Sequence, residues 1–474
     1  MSSATTTTTT SENGLICFTN CLLVQEDGTL AKKDLWIDER EGTIVSAQRV
    51  FYEKLKRPSR IVDLGGLILS PGLIDIQING AYSFDFSVYE DDDDAYRAGL
   101  NMISTRIVET GVTRCTQDRT LYPKLLSLLA PMHAPNGAEL LGWHAEGPFL
   151  QDAKRGAHDA NLLLEAPQGI KTLEEVYGPE NLASGFANGQ PGIKCITAAP
   201  EIEGVLDSIP DLTERGVVYA IGHSTATSAI ATRAVTRGAR LITHLFNAMP
   251  QLHHRDPCII GLLGASFLPE HNPAPDADVH RLRTDDEVAM AAARKNVVRK
   301  QTVVGEAFGP VPARLGETIV RPYYGIIVDG IHSHPNSVRL AHSAHPTGTI
   351  LVTDAQPMLD PNLPDGAYEW RYGKRLVKDG HKLYIEGTDT LAGSVIPLGA
   401  CIRNFALFTG ATLAETIVCA TLHPARCLGI ENRKGTLRPG ADADLAVFDR
   451  DGFVRATWAR GRQVWAATEG HRGA

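Results

Sequence analysis

Two histidines follow apolar runs in closely similar settings. His223 stands in Gly222-His223-Ser224 after the run 217–221, and His244 stands after the run 240–243. Glu146 lies in His144-Ala145-Glu146-Gly147-Pro148-Phe149, where the glycine and proline predict a tight turn that presents its carboxylate. One carboxylate with two imidazoles is a ligand set suited to Zn²⁺ or a similar divalent ion, with one position left open for water. Such an ion lowers the pKa of its water towards ~7 and polarises a carbonyl. Asp354, in Thr353-Asp354-Ala355, is a candidate general base that takes the water's proton and returns it to a leaving group. Each residue also has a plainer role open to it. A histidine after a strand is often a hydrogen-bonded cap, Glu146 can cap its loop, and an aspartate commonly caps a helix. His158 and His332 are further candidates for substrate contact, and each taken singly can be structural. After His244 come Asn247-Ala248-Met249 and then His254-Arg255. An arginine beside backbone N–H groups can hold a phosphate or carboxylate; the bland alternative is a solvated loop.

These side chains need elements that bring them to one edge. Residues 217–243 read as a βαβ unit, with a helix at about 228–237 closed by Gly238. From Pro71 onwards the pattern alternates strands with helical stretches such as 95–110 and 335–345. The candidate strands are 73–78, 112–116, 139–144, 193–197, 217–221, 240–243, 324–328 and 349–353. Repeated β-then-α units predict an α/β fold with a closed (β/α)₈ barrel of TIM type, with an open doubly wound sheet as the alternative. The polar groups fall after the strands, at the edge where ligands collect in either fold.

Residues 15–69 carry short alternating runs separated by turn signals, the pattern of a small antiparallel sheet. The C-terminal stretch repeats that pattern, so both chain ends are expected to build one small β domain around an inserted catalytic domain. The expected division is a disordered threonine-rich tail at 1–14, the small domain at 15–70 and 431–474, and the catalytic barrel at 71–430. A polar stretch at 268–301 reads as a surface insertion, and 151–191 is long for a connection between strands.

Composition narrows the function. At 43% hydrophobic and 21% charged residues, the 474-residue chain is an ordinary globular one with room for a large domain and a smaller one. A net charge of -9 argues against nucleic acid held on a basic face, though not against a small anion. No apolar run is long enough for a transmembrane helix, and the N-terminus lacks the features of a secretory signal. The 8 cysteines are scattered with no CxxC spacing, which predicts free thiols and a cytoplasmic setting.

Taken together, PGLIDIQING (71–80), HAEGPF (144–149), Gly222-His223-Ser224, THLFNAM (243–249), DGIH (329–332), Thr353-Asp354-Ala355, LAGS (391–394) and KGTLRPGADAD (434–444) resemble the amidohydrolase superfamily. THLFNAM with HAEGPF is specific, and points within it to the N-acetylglucosamine-6-phosphate deacetylases. The resemblance implies a (β/α)₈ barrel beside a small β-sandwich, often in a homodimer, and a sugar phosphate as the small-molecule partner. It implies hydrolysis of the N-acetyl group to give glucosamine 6-phosphate and acetate. At the matching positions, Glu146, His223 and His244 become metal ligands and Asp354 the base and then acid. His158 would polarise the acetyl carbonyl and His332 contact the sugar. Asn247, Ala248 and Arg255 would hold the phosphate, with Arg255 reaching in from a partner subunit. Many superfamily members carry His-x-His in the first strand and bind two metals. Gln77 and Asn79 stand there in this chain, weak ligands that point to one divalent ion, Zn²⁺ being the expected one. The chain departs from the family at Gln117-Asp118-Arg119, where Cys-Pro-Thr is usual, and at Cys258, where glycine is usual. Other amidohydrolases, such as cyclic-amide hydrolases or deaminases, and a non-catalytic scaffold of the same fold are the competing readings.

Overall fold

The apolar runs become eight mutually parallel strands of one sheet, which among the described residues also carries Met132–His133, antiparallel to the strand Glu139–Glu146. The computed structural model describes residues 11–118, 131–134, 136–183, 191–265 and 320–468. The strands are β1 (Leu73–Ile78), β2 (Val112–Asp118), β3 (Glu139–Glu146), β4 (Ile193–Ala198), β5 (Val218–Ile221), β6 (Leu241–Ile242), β7 (Tyr323–Ile327) and β8 (Thr349–Val352). Each pairs with the next in sequence, and every pair is parallel. Residues pointing to both faces of β1, β4, β5 and β8 are buried, which is why these strands read as unbroken apolar runs. The two ends of the sheet meet. Ile78 and Ala355 form a parallel bridge, Asp354 N donates to Gln77 O over 2.9 Å, and Asn79 N donates to Ala355 O over 2.7 Å.

Helices follow the strands at the expected places. Asp93–Arg106 starts on Asp92, whose carboxylate accepts from the N–H groups of Asp94 and Ala95. Ser228–Thr236 starts on the Thr227 hydroxyl, and Pro335–Ala344 carries proline in its first turn. The long 151–191 connection contains helix Ile170–Tyr177 and two single-turn 3₁₀ segments, Asp152–Lys154 and Ala160–Leu162. The 268–301 stretch lies outside the described residues, and so does Arg119, while Gln117 and Asp118 are described in backbone alone.

The chain ends do share a sheet. Its order is Arg462–Ala466, Val454–Ala459, Leu445–Phe448, Ile68–Pro71, Leu22–Val24, Leu30–Lys32. A four-stranded sheet of N-terminal residues packs with it around Ile16, Phe18, Ile37, Leu69, Val447 and Trp458. The expected antiparallel pattern is corrected in part: Leu15–Thr19 pairs parallel with Arg60–Asp63, and Leu22–Val24 pairs parallel with Ile68–Pro71. Alternating burial sets the face of a strand and carries no information on the direction of its partner. Of the tail expected at 1–14, residues 1–10 lie outside the described residues, while 11–14 are described and make defined contacts. Ser11 is buried with its hydroxyl donating to Leu15 O over 2.8 Å, and Asn13 Nδ2 donates to Arg57 O over 2.8 Å.

The KGTLRPGADAD stretch fastens this region to the parallel sheet. Lys434 is buried, with Nζ 2.9 Å from Asp444 Oδ2, 3.5 Å from Glu139 Oε2 at the start of β3, and also in contact with Asp442. A further element went unforeseen. Gly366–Glu369, Arg375–Asp379 and Lys382–Ile385 form an antiparallel meander between β8 and helix Leu398–Thr409. It packs on its own small core of Met358, Leu376, Leu383, Ala392 and Val395.

Candidate active site

Three side chains converge at the C-terminal edge of the parallel sheet. Glu146 ends β3, His223 follows β5, and His244 follows β6. Their ligand atoms lie within 4.8 Å of one another. Glu146 Oε1 is 3.1 Å from His244 Nε2 and in contact with His223 Nε2, and the two Nε2 atoms are 3.0 Å apart. His223 Nδ1 is 2.7 Å from Lys154 O, a carbonyl that can only accept. Nδ1 therefore carries the proton, and the Nε2 lone pair faces the carboxylate and the second imidazole. Lone pairs turned on one another at these distances fit a shared cation, and the donor types suit a divalent ion.

The backbone is bent to make this convergence. His223 has φ +48°, His244 +25° and Asp354 +47°, left-handed values that non-glycine residues adopt at a cost of about 1 kcal/mol or more. Gly222 is needed for a different reason: a Cβ there would lie 2.7 Å from both Thr197 Cγ2 and Thr243 Cβ. Cys258 takes φ +51°, a left-handed conformation more natural to glycine.

The first-strand amides serve the carboxylates. Gln77 Nε2 donates to Glu146 Oε2 over 3.0 Å, and Asn79 Nδ2 donates to Asp354 Oδ1 over 2.7 Å. No helix begins at Asp354, so the helix-cap alternative falls away. Asp354 is half-buried at the cavity wall, and the loss of solvation there, with the Glu146 charge beside it, pushes its pKa up to about 7; the nearby His244 and the Asn79 hydrogen bond act in the opposite sense. For Glu146, burial alone would raise the pKa. The imidazoles of His223, His244 and His158, gathered against the carboxylate, outweigh it and hold the Glu146 pKa well below its ordinary value.

His158 lies with its Nε2 3.6 Å from Glu146 Oε1 and its ring edge-on to His223, centroids 4.8 Å apart. His332 is fixed by Asp329, whose Oδ2 accepts from Nδ1 over 2.6 Å. Burial would raise the Asp329 pKa, yet the His332 hydrogen bond and charge and the N–H groups of Ile331 and His332 bring it below the usual range. Asn247 Nδ2 donates to His244 O over 3.2 Å, and Ala248 has φ +51°. Glu146, His158, His223, His244, Asn247, Ala248, His332 and Asp354 all line one cavity of about 200 Å³. Arg255 does not line it within this chain and is exposed.

Residues absent from the sequence reading also enter. Trp370, Arg371 and Lys374 of the meander line the same cavity, as do Asp159 and Gln356. Below Glu146, His223 and His244 runs a buried polar chain. His144 Nδ1 donates to Ile76 O over 2.8 Å, so its Nε2 accepts from Thr197 Oγ1 at 2.7 Å, and Thr243 Oγ1 lies 2.6 Å further on. Burial lowers the His144 pKa, which favours this neutral form. The carboxylate of Glu201 accepts from Ser224 Oγ at 2.6 Å and Thr225 Oγ1 at 3.1 Å, directly after His223. These partners are distant in sequence, and nothing local in the chain marks them.

Residues 68–464 match the profile of the Amidohydrolase family. The N-acetylglucosamine-6-phosphate deacetylase of Bos taurus is 36% identical over 463 residues, covering 96% of this chain and 97% of that one. The deacetylase of the same name from Pasteurella multocida superposes with TM-score 0.69 at 24% identity, over 96% of this chain and 100% of that one. A mutant N-acetyl-D-glucosamine-6-phosphate deacetylase from Mycobacterium smegmatis, solved in complex with N-acetyl-D-glucosamine-6-phosphate, superposes with TM-score 0.68 at 23% identity, covering 95% of this chain and 98% of that one.

Proposed function

The chain belongs to the amidohydrolase family, among its N-acetylglucosamine-6-phosphate deacetylases, and from that premise we propose that it hydrolyses the N-acetyl group of N-acetylglucosamine 6-phosphate to give glucosamine 6-phosphate and acetate. The observation that carries this reading is the convergence of Glu146, His223 and His244 in a cavity that Asp354 also lines. Glu146, His223 and His244 would hold one divalent ion, with Zn²⁺ the preferred candidate from its nitrogen and oxygen donors. Bound there, the ion supplies Lewis acidity towards the water and the acetyl carbonyl.

The rest of the chemistry falls to this chain's own groups. Asp354 in its ionised form accepts a proton from the attacking water and returns it to the sugar nitrogen as the amide C–N bond breaks. Asn79 holds the Asp354 carboxylate in place and favours that ionised form. Gln77 occupies the second oxygen of Glu146, leaving the first to face the imidazoles. His158 would donate to the acetyl oxygen, and His332, held by Asp329, would contact the sugar hydroxyls; that both line the cavity supports these roles. Asn247 and Ala248 would hold the phosphate, with Arg255 supplied by a second subunit of a homodimer.

We read the closed parallel sheet as a (β/α)₈ barrel at 71–430, and the sheets from 15–70 and 431–474 as one β-sandwich domain. A cytoplasmic setting accords with the free thiols at Cys17, Cys21, Cys195, Cys258, Cys401, Cys419 and Cys427. No helix among the described residues is long and apolar enough to cross a membrane. The test is acetate release by metal-loaded protein from a panel of phosphorylated and unphosphorylated N-acetyl sugars. Release from N-acetylglucosamine 6-phosphate with clear preference over the unphosphorylated sugar is expected; absence of both would overturn the reading.

A further inference from the structure

We infer that Lys374, on the meander between β8 and helix Leu398–Thr409, is a specificity-determining contact for the substrate's phosphate. The inference rests on the sugar-phosphate reading and adds a cationic residue of the same chain to it. Two side-chain cations besides histidine line the cavity, Arg371 and Lys374. Arg371 is already committed: its Nε and Nη2 each lie 2.8 Å from a different oxygen of Asp85 in a bidentate pair. Lys374 is half-buried, and among the described residues its ammonium makes neither an ion pair nor a hydrogen bond. Asp159 is near enough to feel its charge, after the larger effect of its own hydrogen bond from Asn161 N, but the two do not touch.

The charge balance of the cavity calls for such a group. Glu146, Asp354 and Asp159 all line it, so a phosphate dianion would enter beside three carboxyl groups. A divalent ion held by Glu146 and the imidazoles offsets charge at the acetyl end alone. An uncommitted ammonium in a partly desolvated wall offsets it for the phosphate, where a charge-assisted hydrogen bond exceeds a neutral one. The position is also built to be rigid. Trp370 N donates to Lys374 O over 2.8 Å and Lys374 N to Arg371 O over 3.2 Å, closing the 3₁₀ turn Arg371–Gly373. The Arg371–Asp85 pair then ties that turn to the residues just after β1. Lys374 therefore extends from a fixed backbone, so little ordering accompanies its contact with the ligand.

The experiment compares full-length, metal-loaded wild type with Lys374→Met and Lys374→Arg, on N-acetylglucosamine 6-phosphate and on N-acetylglucosamine. Lys374→Met is expected to lower the ratio of the two kcat/KM values by about 10- to 100-fold, the size of a lost charge-assisted contact, chiefly through KM for the phosphorylated sugar. Lys374→Arg should recover a large part of that ratio, and metal content should match wild type in both variants. If Lys374→Met keeps the wild-type ratio, or lowers kcat on both sugars equally, this inference is wrong and the deacetylase reading stands. If wild type itself shows no preference for the phosphorylated sugar, the reading beneath it has failed instead.

Discussion

Asn79 Nδ2 donates to Asp354 Oδ1 over 2.7 Å, joining the first and last strands of the parallel sheet by a side-chain bond directly at the site. This hydrogen bond favours the ionised carboxylate, against a burial that pushes the Asp354 pKa up to about 7. A base acts when ionised, so activity should rise with pH through the Asp354 pKa, and a bound divalent cation should bring that acidic limb below 7. Asn79→Ala removes the donor. The limb of kcat/KM should then move to higher pH by about one unit, the equivalent of roughly 1.4 kcal/mol. A limb that stays in place would detach Asp354 from the profile.

Asp354→Asn keeps the shape and the Asn79 contact but cannot take a proton. Turnover should fall by about 10²- to 10⁴-fold, while metal content measured on the purified protein remains that of wild type. Full activity in this variant would remove Asp354 from the base role.

Removal of the ion should act on stability as well as turnover. His223→Ala and His244→Ala each delete a lone pair from the converging set and should lower metal occupancy under limiting metal. Wild-type protein stripped by a chelator should melt at lower temperature than the loaded form, since a ligand at 100 times Kd stabilises by about 2.7 kcal/mol. The difference should shrink as pH falls, because protons compete for the imidazole lone pairs. Identical melting of stripped and loaded protein would contradict the shared-cation reading.

The sequence carried the site in its strand ends because a parallel strand buried on both faces leaves an unbroken apolar run, and the first polar residue after it marks the edge. Glu146, His223, His244 and Asp354 all stand at such points. What stayed hidden depends on pairing between distant segments. Gln77 and Asn79 were read as weak ligands, and their bonds to Glu146 and Asp354 follow only from the closing of the sheet. The meander at 366–385 has short, half-exposed strands whose mixed charge resembles a loop, so Lys374 and Trp370 gave no signal. Arg255 is expected at the phosphate; within one chain it is exposed and outside the cavity lining.

The buried chain from Thr243 through Thr197 to His144 crosses the interior just beneath Glu146, His223 and His244. Thr197→Val is nearly isosteric and leaves His144 Nε2 and Thr243 Oγ1 without their partner. The unfolding free energy should drop by about 1–3 kcal/mol, the usual cost of an unsatisfied buried polar group. Metal affinity should weaken too, because Thr243 directly precedes His244. Unchanged denaturation and metal titration would show that the chain has no positioning role.

Lys434 offers the opposite test, a site remote from the chemistry. It neutralises Asp444, Asp442 and Glu139 where the C-terminal segment meets the start of β3. Arg433 Nη2, 3.0 Å from Asp442 Oδ2, assists one of the three, but that arginine is largely exposed. Lys434→Met would fill similar volume while leaving buried carboxylates uncompensated, a change that commonly costs about 3–5 kcal/mol. Adding Asp444→Asn to that variant removes one of the stranded charges and should recover part of the loss. Glu139 and Glu146 stand at opposite ends of β3, separated by roughly 23 Å at the usual rise of an extended strand. The stability change should therefore appear in chemical denaturation while kcat/KM of the folded, metal-loaded fraction stays within about twofold of wild type. Equal losses of stability and of kcat/KM would mean that this buried cluster supports the catalytic edge across the whole strand, and that the two ends of β3 do not act independently.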